Sequence, residues 1–347
     1  MESVMDRRAF LAAGLGTLGQ AAWPAAPTGT RLGLDVFSLR SQPWTAFQIL
    51  DFCAKWNLEV VHFSEPRFLG GLEPEHLAKV GDYARKLNVG IQAGMLSICP
   101  TSRLFDRAAG TAEQQIARMV GVARTLGSPL IRAVLGNSGD RSGPIEAHIE
   151  STVRVLRNVR SLVMDNNLKI AIENHAGDMQ ARELKSLIEG AGRDFVGACL
   201  DSGNPLITIE DPHLTLETLA PYVLTSHVRD TAVWHTPGGA AVAWIGMGDG
   251  NIDIDDYVRK FVRLCPGVPI LLEIIVFLKP RIINYYDPAF WNNYRNTPAW
   301  EFARFVARVD KGTPRELAPP PSKEETPQRE LTDLEKSIKF TRVLLNA

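Results

Sequence analysis

Residues 169–178 read KIAIENHAGD, and they end a short apolar run with three polar side chains. Residues 169–172 have the length and composition of a buried strand. Glu173, Asn174 and His175 follow at the point where the chain leaves the core. A carboxylate, an amide and an imidazole at one strand end indicate a functional site if the fold brings other such strand ends to the same place.

Short apolar runs alternate with amphipathic segments from residue 31 to residue 310. The predicted strands are residues 32–38, 60–64, 90–94, 130–135, 169–173, 197–201, 223–227 and 270–274. The predicted helices are residues 45–56, 75–87, 112–126, 145–165, 181–190, 253–264 and 300–309. Eight strand–helix units in this span predict an α/β fold, a (β/α)8 barrel. A doubly wound open sheet fits less well, because DVFSLRS (35–41) replaces the G-x-G-x-x-G that such a sheet carries after its first strand.

The composition is that of a large globular protein and limits the partners. The chain has 347 residues, of which 45% are hydrophobic and 22% are charged, and its formal net charge is −1. A charge so close to zero argues against nucleic acid and against an anionic membrane surface as partners. The sequence has no apolar run of the roughly 18 residues that a stable membrane span requires.

Both ends of the chain differ from the middle. Residues 5–27 read MDRRAFLAAGLGTLGQAAWPAAP, in which Arg7 and Arg8 precede a weakly hydrophobic run and then small residues. This order is typical of a twin-arginine signal over residues 1–30, so we expect a periplasmic or otherwise exported protein that engages the twin-arginine export machinery. The alternative is an amphipathic helix that carries two arginines. Residues 311–347 are predicted to form a Pro-rich linker and a tail helix, which docks on the barrel or on a neighbouring subunit of a homo-oligomer.

Four consecutive predicted strands end in residues that bind metals. The residues are Glu173 in IAIEN, Asp201 in GACLDSGN, His227 in LTSHVRD and Glu273 in ILLEII. The carboxyl ends of barrel strands point into one shared mouth, so these four side chains are expected to meet. Three carboxylates and an imidazole favour one divalent ion, Mn²⁺ first and Mg²⁺, Co²⁺ or Zn²⁺ as alternatives. Asp201 alone could equally be a helix cap. Glu273 lies inside the apolar run PILLEIIVF, where burying its charge without a partner would cost roughly several kcal/mol of folding free energy.

The order Glu, Asp, His, Glu at consecutive strand ends resembles the xylose isomerase-like TIM-barrel superfamily, the sugar isomerase/epimerase group. Three local sequences support the resemblance: ENH at 173–175, HVRD at 227–230, which is similar to the family's HxKD, and GMGDGNID at 246–253, which is similar to its GxGxID. The resemblance extends over about residues 31–310. It implies a metal held by Glu173, Asp201, His227 and Glu273.

The resemblance also implies roles for the residues around the metal. Glu173 and Glu273 would form the catalytic acid/base pair, and Arg229 would bind a substrate oxygen. Asp230 would position that oxygen or the ligand histidine. His175 would contact the substrate or support the site from behind.

One position departs from the family pattern. Many relatives read D-x-x-H after the sixth strand, whereas this chain reads DSGN, so that Asn204 lines the predicted substrate pocket. The missing histidine argues against a multi-zinc DNA-repair endonuclease of the same fold, as does the net charge. It also weakens a direct transfer of the ketose epimerase pocket.

The predicted activity is that of a divalent-metal-dependent sugar isomerase or epimerase, which removes a proton next to a carbonyl group and returns it. A lyase that acts on 3-keto-glycosides by β-elimination is an alternative that uses the same metal and acid/base pair. A non-catalytic exported sugar-binding barrel is a second alternative, which would not need two glutamates. The expected partner is a small carbohydrate.

Overall fold

The structure is a computed structural model that describes residues 29–317 and 319–346. Within this part of the chain the strands are β1 (Leu32–Asp35), β2 (Val60–Phe63), β3 (Gly90–Ser97), β4 (Leu130–Val134), β5 (Lys169–Glu173), β6 (Val196–Asp201), β7 (Val223–His227), β8 (Asp230–Thr236), β9 (Gly239–Ile245), β10 (Ile270–Leu272) and β11 (Arg281–Ile283). Strands β1–β7 and β10 form one parallel sheet in the order β10-β1-β2-β3-β4-β5-β6-β7. Val228, which follows β7, pairs in parallel with Leu272 of β10, so the two edges of the sheet meet. The predicted barrel is therefore confirmed.

Helices follow most of the barrel strands and cover the outer face of the sheet. They are α1 (Ala46–Lys55), α2 (Pro74–Lys86), α3 (Ala112–Leu126), α4 (Ile145–Asp165), α5 (Ala181–Ala191), α6 (Pro212–Leu219), α7 (Ile254–Leu264), α8 (Ala299–Asp310) and α9 (Thr326–Asn346). Capping boxes begin α1 at Thr45 and α3 at Thr111, which explains why these helices start where the sequence predicts. Helix α6 was not predicted, because nearly all of its residues are buried and the amphipathic period is lost.

A second, smaller sheet lies outside the barrel and was also not predicted. Strands β8 and β9 pair along their whole length as an antiparallel hairpin, and β11 joins β9 on its other edge. Pro237 and Gly238 form the two-residue turn between β8 and β9. Because β8 starts only three residues after His227, this sheet stands beside the mouth of the barrel.

The tail helix α9 packs across loops that carry the barrel mouth. Its Glu330 accepts hydrogen bonds from the backbone N–H and the hydroxyl of Ser41, at 3.1 and 2.9 Å. Further along α9, the hydroxyl of Ser337 accepts a hydrogen bond from the backbone N–H of Met247 at 3.2 Å. The helix therefore joins the loop after β1 to the glycine-rich loop over residues 246–250.

Two observations concern where in the cell the protein is found. The export signal predicted over residues 1–30 lies almost entirely outside the described residues. Among the helices of the described part, none is long and apolar enough to cross a membrane.

Candidate metal centre and active site

The four residues predicted as metal ligands lie together at the mouth of the barrel. Glu173, Asp201 and His227 are the last residues of β5, β6 and β7, and Glu273 follows β10 directly. Neighbouring strands run in register here, so that Asp201 pairs with His227. Each of the four can offer one ligand atom, and these atoms all lie within 4.8 Å of one another. All four side chains are buried, Glu273 being the most exposed at 6%.

The imidazole of His227 has two different sides. Its Nδ1 atom faces the carboxylates, 3.0 Å from Glu173 Oε2 and 3.6 Å from Glu273 Oε2. Its Nε2 atom lies 2.8 Å from His62 Nδ1 and 3.3 Å from Asp35 Oδ2. A metal on Nδ1 would leave the proton on Nε2, which then donates to this inner pair. Such support fixes the orientation of a ligand histidine.

Arg132 neutralises Glu173 from inside the barrel. It is part of β4, and its Nε donates to Glu173 Oε2 at 2.6 Å, with only 3% of the arginine exposed. Burial alone would raise the pKa of Glu173, but Arg132 and His227 outweigh burial and hold that pKa well below its usual range. Glu173 is therefore an ionised carboxylate in the ion-free protein.

Arg229 touches two of the other carboxylates with one nitrogen. Its Nη2 contacts both Asp201 Oδ2 and Glu273 Oε2. The side chain passes so close to Gly203 that a Cβ there would lie 2.6 Å from the arginine Cγ and Cδ, so any side chain at Gly203 would displace Arg229. The remaining donors of Arg229, Nε and Nη1, are buried without a hydrogen-bond partner in the described part of the chain.

Glu273 differs from Glu173 in its protonation. Burial raises the pKa of Glu273 to about 8, although Arg229 and His227 act in the opposite direction. At neutral pH the ion-free protein therefore holds a proton on Glu273 and none on Glu173. Two carboxyl groups with separated pKa values are the usual basis of an acid/base pair.

The buried charges leave room for a divalent cation. Once Glu273 has lost its proton and His227 is neutral, four carboxylates, from Asp35, Glu173, Asp201 and Glu273, oppose the guanidinium groups of Arg132 and Arg229, so four minus two leaves two negative charges. Without an ion, protons offset this charge: burial alone would lower the pKa of His227, but the negative groups around it, Glu173 at 3.0 Å among them, outweigh burial and hold that pKa well above its usual range. A dication would take the place of the protons on Glu273 and His227 and match the excess charge, so the residues fit the predicted metal.

Four residues were predicted to bind substrate: His175, Asn204, Arg229 and Asp230. The first three lie at the ligand cluster. The amide nitrogen of Asn204 is 3.4 Å from Glu173 Oε1, and its oxygen is buried without a partner in the described chain. His175 lies beside Glu173 and uses Nδ1 to bond the carbonyl of Gly136 at 2.6 Å. Arg229 lies at the centre of the cluster. The structure thus brings three of the four predicted residues to the ligand set.

Asp230 faces the glycine-rich loop. Its carboxylate accepts hydrogen bonds from the backbone N–H groups of Gly248, Gly250 and Thr231, at 3.1, 2.9 and 2.7 Å. A Cβ at Gly250 would lie 1.9 Å from the Asp230 carboxylate, so the loop can approach only as glycine. Asp230 therefore holds the loop that carries GMGDG beside the mouth.

Four residues at or beside the site were not predicted: Asp35, His62, Arg132 and Trp244. A signal for Arg132 was present, because a charge inside the apolar run LIRAVL needs a buried partner. The histidine in VVHF carried a similar signal. Trp244 carried none, since only the fold of the unpredicted hairpin brings it to Arg229, whose guanidinium lies 4.4 Å from the centre of its ring.

Metal binding is expected to depend on pH. Titration of the ion-free protein with Mn²⁺ should saturate at about one ion per chain, and the apparent affinity should rise as the pH is raised through about 8. The reason is that two ligands must each lose a proton before they can bind the ion: Glu273, with a pKa of about 8, and His227, whose pKa the surrounding negative groups hold well above its usual range. Calorimetric titrations at several pH values from about 6 to about 9 would measure the effect, because this range extends at least about one pH unit below and above the pKa of Glu273.

A buried glutamate elsewhere provides the control for this titration. Burial raises the pKa of Glu210 to about 7, yet its carboxyl group bonds to Ala181 and Thr215 instead of the cluster. Glu210→Gln should therefore keep the metal and the pH profile, whereas Glu273→Gln and His227→Ala should lose the metal. Full occupancy in both ligand variants would contradict the four-ligand assignment.

The chain is therefore an α/β barrel with a cluster of possible metal ligands at the carboxyl ends of its strands. Residues 50–280 match the family described as Xylose isomerase-like TIM barrel. The match covers more than half of the chain, and the chain belongs to this family. The predicted resemblance to the xylose isomerase-like TIM barrels is thereby confirmed.

Two proteins are related to this chain in sequence. The chain is 24% identical over 283 residues to an uncharacterized protein, YihM, of Escherichia coli, over 76% of this chain and 79% of that protein. It is 23% identical over 211 residues to a 3-oxo-isoapionate decarboxylase of Pectobacterium atrosepticum, over 60% of this chain and 65% of that protein.

Solved structures share the fold at lower identity. A D-psicose 3-epimerase from Clostridium cellulolyticum, crystallised with D-tagatose, superposes with a TM-score of 0.57 at 11% identity, over 81% of this chain and 97% of that chain. A xylose isomerase-like TIM barrel protein from Mycobacterium smegmatis, in complex with magnesium, gives 0.55 at 12% identity, over 81% and 98%. Proteins named as enzymes are therefore found among both kinds of relative.

Proposed function

We propose that this chain is a divalent-metal-dependent enzyme that removes a proton next to the carbonyl group of a sugar and returns it as an isomerase or epimerase does. The observation that carries the proposal is the buried cluster in which Glu173 and Glu273 join Asp201 and His227. The family, and the fold shared with a D-psicose 3-epimerase, support a sugar as substrate. Mn²⁺ is the ion we propose, with Mg²⁺, Co²⁺ and Zn²⁺ as alternatives.

The chain supplies the proton transfers. A bound divalent ion would polarise the carbonyl group of the sugar, which acidifies the neighbouring C–H bond. Glu173, ionised because of Arg132, would take that proton as the base. Glu273, the other member of the acid/base pair, would return a proton to the neighbouring carbon or to the opposite face of the same carbon. The free Nε and Nη1 donors of Arg229 would bind a substrate oxygen.

A screen for the shared first step tests this proposal. The metal-loaded protein is incubated in D₂O with ketoses, aldoses and 3-keto-glycosides, and deuterium next to the carbonyl group is measured by NMR and mass spectrometry. Product formation is followed in parallel, because a proton passed directly between two carbons exchanges slowly with solvent. Sugar binding without exchange or turnover across the panel would instead support the non-catalytic barrel.

A lyase remains the second candidate. The observation that favours it is the sequence similarity to a protein named 3-oxo-isoapionate decarboxylase, since a decarboxylase is a lyase. Removal of a proton next to a carbonyl group also serves β-elimination from a 3-keto-glycoside, in which the leaving group departs from the carbon one further along. Release of the free alcohol or sugar from the 3-keto-glycosides of the panel would favour this outcome.

Export through the twin-arginine pathway is part of the proposal. The variant Arg7→Lys with Arg8→Lys is expected to remain in the cytoplasm, because the twin-arginine receptor reads that pair specifically. Cell fractionation followed by immunoblotting measures this. Arg31→Lys, the same change just beyond the predicted signal, should be exported normally. Normal export of the double variant would contradict the signal.

A further inference from the structure

The hairpin and the loop after β10 place a second cationic region next to the metal cluster. Arg229 Cζ lies 4.4 Å from the ring centre of Trp244, and Arg281 Cζ lies 5.1 Å from the same ring. Trp244 ends the hairpin at β9 and is fixed by its indole N–H, which donates to the carbonyl of Gly203 at 3.1 Å. One indole thus links the arginine that touches Asp201 and Glu273 to a second arginine further out.

Arg281 differs from the other arginines around the mouth in having no counter-ion. Arg40 pairs with Glu330 at 3.3 Å, and Arg67 pairs with Glu65 at 2.8 Å. Arg281 is half-buried, and within residues 29–317 and 319–346 its guanidinium has neither an ion pair nor a hydrogen bond. Burial and the charge of Arg229 both lower the pKa of Arg281, which means that its positive charge is unfavourably placed without an anion.

A small cavity of about 210 Å³, partly open to solvent, lies against these groups, and its walls are cationic and apolar. It is lined by Ile207, Val242, Trp244, Leu278, Lys279 and Arg281. Two of these residues are cationic, four are apolar, and none is acidic. Ile207 belongs to the loop after β6 that also carries Asn204, so the cavity adjoins the predicted substrate pocket.

The buried donors of Arg229 give an independent indication of a ligand. Arg229 is 1% exposed, yet its Nε and Nη1 atoms have no hydrogen-bond partner among the described residues. A buried donor without a partner is unfavourable by about 1–3 kcal/mol, and native proteins rarely retain one unless a ligand or water completes it. The guanidinium that carries these donors contacts the metal cluster through Nη2 and lies over Trp244, which lines the cavity.

We infer that Arg281, over the face of Trp244, and Lys279, on the wall of the same cavity, form a subsite for the anionic end group of the substrate. The substrate would be an acidic sugar, with its carbonyl group at the metal cluster, an oxygen on the free donors of Arg229, and a carboxylate or phosphate at the subsite. This inference rests on the proposed function in taking the ligand to be a sugar. Carboxylate and phosphate share the charge that the subsite recognises, and the experiment separates them.

Binding measurements with three probes test the subsite without requiring turnover. D-fructose is the neutral probe, 2-keto-D-gluconate carries a carboxylate, and D-fructose 6-phosphate carries a phosphate. Calorimetry on the metal-loaded full chain is expected to show at least one anionic probe binding about tenfold or more tightly than D-fructose. Arg281→Gln should remove that preference, and Arg281→Lys should retain part of it.

Arg329 provides a matched control. Its guanidinium lies 5.2 Å from the ring centre of Phe277, so it also stacks on an aromatic ring, but it is on α9 and exposed. Arg329→Gln should keep the preference for the anion. Because Arg281 leaves no buried partner behind, Arg281→Gln is expected to unfold at the wild-type temperature, and a thermal scan checks this.

The outcomes separate the subsite from the proposed function. Equal binding of neutral and anionic probes, no binding of either anionic probe, or a preference that survives Arg281→Gln would each overturn the subsite. If D-fructose exchanges deuterium while the acids bind no better, the proposed function stands and the subsite falls. If the acids bind through Arg281 but no sugar exchanges, the subsite stands and the proposed function falls. Preference for one anion identifies the end group.

Discussion

Replacing Glu173 with Gln is expected to lower the rate of deuterium exchange into the sugar by about 10²–10⁴-fold, and Glu273→Gln should have an effect of the same order. Glutamine has nearly the shape of glutamate but cannot take or return the proton. Both positions also belong to the ligand set, so a lost base and a lost metal would give the same rate. The metal content of each variant, measured by elemental analysis at saturating Mn²⁺, separates the two causes.

Glu210→Gln is again the matched control, because it changes a buried glutamate that bonds to Ala181 and Thr215 and not to the cluster. We expect it to exchange deuterium at the wild-type rate. Exchange that persists in Glu173→Gln and in Glu273→Gln at full metal occupancy would remove both residues from the acid/base role. Exchange lost in only one of them would assign the proton transfer to that glutamate.

Arg132→Met is expected to destabilise the ion-free protein by about 3–5 kcal/mol, because it leaves the Glu173 carboxylate buried without its counter-ion. Neither side chain of this pair is more than 4% exposed. Urea unfolding in the presence of EDTA measures the free energy of unfolding without a contribution from bound metal. Adding Glu173→Gln to Arg132→Met should recover part of the loss, since the uncompensated charge is then gone.

An exposed pair of the same chemistry provides the comparison. Arg160 and Asp194 also form a short arginine–carboxylate contact, but 41% and 49% of their side chains are exposed. Arg160→Met should change the free energy of unfolding by only about 0–1 kcal/mol, because water replaces the lost partner. Equal effects in the two arginine variants would show that Arg132 does not hold a buried charge.

The barrel was predictable from the sequence because its strands are short, apolar and separated by amphipathic helices. Strand β5 was predicted with the bounds that the structure has, and so were helices α3 and α4. The β8–β9 hairpin was missed although Pro237-Gly238 between two alternating runs is a turn signal. Residues 230–245 fall between the predicted strand 223–227 and the predicted helix 253–264, so the strand–helix alternation of the sequence outweighs this local signal.

Of the candidate site, only the residues at the ends of the strands could be predicted directly from the sequence. Glu173, Asp201, His227 and Glu273 share a position relative to their strands, which a sequence displays directly. Arg229 and Asn204 were reached through the family resemblance. The cation pair across Trp244 depends on how a hairpin and a distant loop fold back over the mouth, and no spacing in the sequence encodes that. The pKa difference between the two glutamates likewise depends on buried neighbours and not on residue type.

The tail helix also affects the order in which the mouth can be assembled. Ser41 and Glu330, which hydrogen-bond to each other, are 289 residues apart along the chain. Contacts between such distant residues form late in folding, because a large loop must close before they contribute. The loop after β1 is synthesised early, and we expect it to stay open until α9 has emerged and docked. We expect the carboxylates at the strand ends to face solvent during that interval, which would give a metal ion a route to the site before α9 docks.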